Sequence, residues 1–174
     1  MKNQKVGFFP LFVTVGQVVI FPYYIIWLKQ VSLTYTLFAW FFAAFSFAAA
    51  WGYKVKMSKR GNNDKILPFI YAGMGFIYIF VGMIDHSFSY LPYIALLIQI
   101  SLGFLQGYFR AWHIRQKLYS LNTVHHYVIV GCTMIGLSFI KVLSPHFFLI
   151  IFGVILSICG VWIFLIIGEE RKEP

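Results

Sequence analysis

Long apolar runs separated by short polar breaks organise this chain, and no strand-like alternation of apolar and polar positions interrupts them. A continuous apolar run of about 20 residues reads as a helix that crosses a bilayer, because backbone groups in hydrocarbon must pair within their own segment. Stretches that fit are residues 6–28, 35–51, 66–84, 91–109, 122–142 and 147–168. Pro10 and Pro22 fall inside the first, where a spanning helix tolerates proline if its neighbours satisfy the freed carbonyls. The breaks fall at residues 29–34, 52–65, 85–90, 110–121, 143–146 and the tail from Glu169. A β-barrel is disfavoured, since its strands would alternate. The expected fold is all-α: a polytopic membrane protein, one domain over residues 1–174, with six transmembrane helices.

Charge gives this pattern an orientation. Lys54, Lys56, Lys59, Arg60 and Lys65 crowd the second break against a single acid, Asp64. Basic residues near span ends stay on the cytoplasmic side. Counting outward places Lys2, Lys5, the patch of Arg110, His113, Arg115 and Lys117, and Arg171 with Lys172 on that same side. Only Lys29 and Lys141 fall opposite, so both chain ends are expected in the cytoplasm, most simply across a bacterial cytoplasmic membrane. Composition agrees: 60% of residues are hydrophobic and 11% charged, against about 25% charged in soluble domains. The net charge of +9 lies in short clusters between apolar runs, a pattern of topology signals and lipid contact rather than nucleic-acid binding. The apolar run after the basic start lacks a small-residue cleavage site, so the first span is expected to be retained. Cys132 and Cys159 lie apart within apolar runs and read as small fillers, with no disulfide or redox role expected.

Chemistry-bearing residues are sparse. Gly103 and Gly107 form a G-x-x-x-G on the fourth span, which lets another helix backbone approach closely, within this chain or in a second copy. Gln17, Gln99, Gln106, His125, His126 and Lys141 are the polar residues expected within the membrane. Gln99 and Gln106 are seven apart and share a helix face. With Gln17 opposite, they form either a polar cleft or interhelical hydrogen bonds without a ligand. The adjacent His125 and His126 point about 100° apart on a helix and do not chelate one metal together, although His126 could relay a proton. Lys141 can snorkel to the outer surface, and Asp85 with His86 reads as a solvated turn. No paired intramembrane carboxylates, nucleophile elbow, H-E-x-x-H or phosphate loop is present. An enzyme is therefore not expected, nor any cofactor or metal.

Residues 21–29, Phe-Pro-Tyr-Tyr-Ile-Ile-Trp-Leu-Lys, lead into a short polar turn, a small-residue second span ending at Gly52, and a basic loop. With the glycine-rich fourth span and with Gly131 and Gly136 in the fifth, this resembles one six-helix half of a major facilitator superfamily transporter. That family's loop reads roughly G-x-x-x-D-R-x-G-R-R/K; Gly52 matches its first glycine, and Lys56 stands where its acid belongs. The resemblance implies a cavity lined by the first and fourth helices, placing Gln17, Tyr23, Tyr24, Gln99 and Gln106 beside a substrate, with His126 as a further candidate. It also implies a second copy or second half, since such transporters enclose their site between two halves. A half-size transporter moving a small molecule as a dimer is the expected function. The alternative is a non-transporting accessory or regulatory subunit docked on a larger membrane complex.

Overall fold

The computed structural model of the chain describes residues 3–31, 34–58, 66–84, 90–115, 128–133 and 144–169. The described residues form helices and no strand: α1 (Asn3–Val31), α2 (Tyr35–Ser58), α3 (Leu67–Met83), α4 (Leu91–Arg115), α5 (128–133) and α6 (Pro145–Glu169). Local chemistry marks their ends. Thr34 caps α2, its Oγ1 accepting the Leu37 N–H at 3.2 Å and so satisfying a donor that the first turn leaves open. Pro68 sits in the first turn of α3, where its fixed φ suits a helix and its missing N–H costs nothing. At the other end, Ile84 turns extended and its N–H closes on the Phe80 carbonyl at 3.1 Å.

Among the described residues, three helices are long and apolar enough to cross a membrane: Tyr35–Ser58, Leu91–Ile114 and His146–Leu165. The expectation of six transmembrane helices is corrected by this. Helix α3 is apolar but has 17 residues, at the lower limit of what crosses hydrocarbon. Helix α1 runs over 29 residues and is not among the three. Most of the expected fifth span lies outside the described residues. The assignment of both chain ends to the cytoplasm was counted across six crossings and loses that basis with the count. The chain is an integral, multi-pass membrane protein whose outer surface is apolar, with Trp40, Phe47, Phe69, Phe76 and Tyr93 all exposed.

Two helices also run further than the apolar runs suggest. Helix α2 continues through Ser58 and α4 through Arg115, so Lys54, Lys56 and Arg110 lie on helices rather than in loops. Tyr53 to Met57 holds no helix breaker, and cations are favoured at a helix C-terminus. Lys56 is 1% exposed, its Nζ 5.6 Å from the centre of the Tyr108 ring.

The closest helix pairs are α3 with α6 and α2 with α4. Glycines make both possible. A Cβ on Gly103 would collide with the Phe45 carbonyl, one on Gly107 with that of Ala49, and one on Gly52 with that of Phe104. In the other pair, a Cβ on Gly75 would meet the Gly153 carbonyl at 2.6 Å, and one on Gly82 the His146 carbonyl at 2.9 Å. Small residues at these positions bring the backbones into contact, which is how helices associate where no hydrophobic force drives them together.

These contacts also set directions. Phe45 and Ala49 meet Gly103 and Gly107 in the same order, so α2 and α4 are parallel; Gly75 and Gly82 meet Gly153 and His146 in reverse order, so α3 and α6 are antiparallel. Helix α1 is antiparallel to α6, with Gly16 against Phe152 and the Tyr23 ring 4.5 Å from that of Phe148. Helices α1 and α3 therefore run one way and α2, α4 and α6 the other. The C-terminal ends of α2 and α4, with their cations, share one end of the bundle; Val31, Tyr35, Met83 and Leu91 share the other.

Candidate functional site

Between the two tight pairs lies a seam of a different character, where α3 meets α4 and α1 touches both α4 and α6. Its side chains are large and many carry a polar tip. On α1 the inward stripe is Val13, Gln17, Ile20, Tyr24, Trp27 and Val31, repeating every three or four residues as one helix face does. Helix α4 contributes Gln99, Leu102, Gln106, Phe109 and His113 at the same period, and α3 contributes Tyr71, Met74 and Tyr78.

From the basic end upward, Tyr71 packs edge-on against Phe109 with ring centres 5.4 Å apart, and the His113 ring centre lies 6.0 Å from that of Phe109. Next, Gln17 Nε2 reaches Met74 Sδ at 3.5 Å, a weak contact for an amide donor. One turn on, Gln106 Nε2 donates to the Tyr78 hydroxyl at 3.1 Å. The Tyr78 ring meets Tyr24 at 6.1 Å and Phe152 at 5.0 Å, so α1, α3, α4 and α6 converge on it. Beyond, Tyr24 stacks with Trp27 at 5.7 Å. Gln99 lies two turns, about 10 Å, from Gln106 toward the same end.

The polar groups of this column are unequally satisfied. Gln106 and Tyr78 pair with each other. Gln99 is 1% exposed, yet among the described residues neither its amide nitrogen nor its oxygen has a hydrogen-bond partner. The hydroxyls of Tyr24 and Tyr71 and the indole N–H of Trp27 are likewise buried without one. Each such group left unmade costs about 1–3 kcal/mol. Among the described residues, no charged side chain lies on the column between Gln17 and Gln99, where Gln, Tyr, Trp and Met supply all the polarity. None of the described His, Cys, Asp or Glu residues gathers in a group of three that could hold a metal.

Of the residues singled out from sequence, Gln17, Tyr24, Gln99 and Gln106 stand on this seam. Tyr23 is partly buried on α1 against Phe148 of α6, off the column. Gly103 and Gly107 lie on the α2 side of α4, away from it. His125, His126, Lys141, Asp85 and His86 lie outside the described residues. Sequence reasoning missed Tyr71, Tyr78, Trp27 and His113 as members of the seam. The spacing of Gln17, Tyr24 and Trp27 on α1, seven and then three residues, and the seven-residue spacing of Gln99, Gln106 and His113 on α4 were the available signal.

Comparison with known proteins adds no relative: no protein-family model, no curated protein and no solved structure matches this chain. The resemblance to half of a major facilitator transporter is overturned, since no homology ties the chain to that family and three rather than six helices among the described residues are of membrane-crossing length and apolarity. Glycine-rich spans and basic connections arise in any helical bundle that packs in lipid under the same orientation rule, which is why those motifs misled.

Proposed function

We propose that this protein moves a small, uncharged polar solute across a cytoplasmic membrane, along the seam between the α2–α4 and α3–α6 pairs. The observation that carries the reading is the column of polar groups on α1, α3 and α4. Polar groups inside a membrane bundle are expensive, and they mark pathways when they line up across its depth. Gln17 to Trp27 alone covers about 15 Å of a hydrocarbon layer roughly 30 Å thick. The tight, glycine-faced pairs suit rigid units, and the looser aromatic seam between them suits the place where such units part.

Flux measured in liposomes containing the purified protein tests this. Neutral polar solutes should enter faster than into protein-free vesicles, and the double variant Gln99→Leu, Gln106→Leu should lose that flux while eluting at the wild-type size. Flux that survives the double change places the path elsewhere. A native mass taken with bound lipids should register two copies if a second chain completes the path. A protein that carries no solute and leaves the membrane attached to a larger complex is an accessory subunit instead.

A further inference from the structure

The two glutamines of α4 are not equivalent, and the difference locates a binding position. Gln106 spends its amide on Tyr78. Gln99 does not: it is sealed inside the bundle with both ends of its amide unmatched among the described residues. Helix α1 touches α4 and brings two more unmatched groups to the same half of the seam, the Tyr24 hydroxyl and the Trp27 indole N–H, on residues 4% and 1% exposed. Trp27 is one turn, about 4.5 Å, beyond Tyr24 in the direction in which Gln99 lies beyond Gln106. The amide offers one donor and one acceptor face, the phenol either, and the indole a donor only. The Tyr24 and Trp27 rings stack on each other 24° from parallel and offer flat apolar faces along α1.

We infer that Gln99, Tyr24 and Trp27 form the solute-binding position of the seam, and that its ligand is a small neutral molecule of the amide, urea or polyol class. This rests on the transport reading above. Such a molecule presents an acceptor to the indole and amide N–H groups and a donor to the Gln99 carbonyl. A charged molecule would find no counter-ion facing it: Lys29, two residues past Trp27, is exposed on the other side of α1, and the other charged residues of the described bundle, Lys5, Lys54, Lys56, Arg110, Arg115 and Glu169, belong to its opposite end.

The test uses full-length protein in lipid nanodiscs, labelled with 5-fluorotryptophan and followed by fluorine NMR, the Trp27 resonance being assigned with Trp27→Phe. Urea, acetamide and glycerol are the probes, and guanidinium and acetate are their charged counterparts. At least one neutral probe should shift the Trp27 resonance saturably, while guanidinium and acetate leave it unmoved. Gln99→Leu should weaken that binding by about tenfold or more, the worth of one good hydrogen bond, and should at the same time resist denaturation better than wild type, since it removes an unmatched amide. A side chain with a merely structural role would not show that opposition. The inference is overturned if no neutral probe moves Trp27, if the charged counterparts move it equally, or if Gln99→Leu binds as wild type. Binding at Trp27 without liposome flux keeps the position and removes transport; flux without any Trp27 response, unchanged in Gln99→Leu, keeps transport and removes the position.

Discussion

Gln99 and Gln106 share a face of α4, but deleting their amides should act in opposite directions. Gln106→Leu strands the Tyr78 hydroxyl, which accepts its hydrogen bond at 3.1 Å. We expect it to lower stability by about 1–2 kcal/mol, read as a shift in the denaturation midpoint in detergent. Gln99→Leu strands nothing among the described residues and should raise stability by a similar amount, about 1–2 kcal/mol. If both variants weaken the fold equally, Gln99 has a structural partner and the contrast between the two residues is lost. Sequence alone shows both residues on one face, because a seven-residue spacing is geometry. It does not reveal which amide is paired, because the partner comes from another helix. Trp27 and Tyr78 escaped notice for a related reason: in an oily run an aromatic reads as apolar, and nothing local reports whether its polar tip is buried. Lys56 illustrates the converse. It stands four residues after Gly52, on the face that α4 covers, so helical spacing could have predicted its burial had the helix been carried past Trp51.

The helices pair by what their faces lack. Where Gly103, Gly107 and Gly52 face α2 or α4, and Gly75, Gly82 and Gly153 face α3 or α6, backbone carbonyls of the partner occupy the space a Cβ would need. Gly107→Val should therefore push Ala49 away and cost about 2–3 kcal/mol, the range for forcing atoms into a packed core. Gly131→Ala on α5 should be near neutral, since a Cβ there meets nothing within 4 Å among its neighbours. Both are read by the same denaturation midpoint, and a neutral Gly107→Val would mean that α2 and α4 are not held as described. The division into tight pairs and looser seam makes a second forecast. With Cys132 and Cys159 replaced, cysteines at Trp51 and Phe104, whose rings lie 5.2 Å apart within the α2–α4 pair, should accept a short bifunctional crosslink without loss of flux. The same crosslink between cysteines at Tyr71 and Phe109, 5.4 Å apart across the seam, should stop it. The small-residue pairing of α4 was legible in its G-x-x-x-G, because that motif is a statement about missing Cβ atoms. The pairing of α3 with α6 was not read, although Gly75 and Gly82, like Gly153 and Gly160, are each seven residues apart and so line one face.

At the scale of the whole molecule, the helix directions carry a consequence that the number of membrane-length helices does not. Because α2 and α4 are parallel and α3 runs against both α4 and α6, the ends of α2 and α4 emerge together, bringing Lys54, Lys56, Arg110 and Arg115 to one end of the bundle. The opposite end carries Tyr35, Tyr90 and, of the described cations, only Lys29. A bilayer with a negative inner potential orients such an asymmetry basic end inward. In a background without Cys132 and Cys159, a membrane-impermeant maleimide added to intact cells should therefore modify Tyr90→Cys and spare Ser58→Cys. Vesicles turned inside out should reverse the result. Modification of both positions from the same face would separate two sites that the helix directions place at opposite ends, and with them the seam whose polar column spans the distance between.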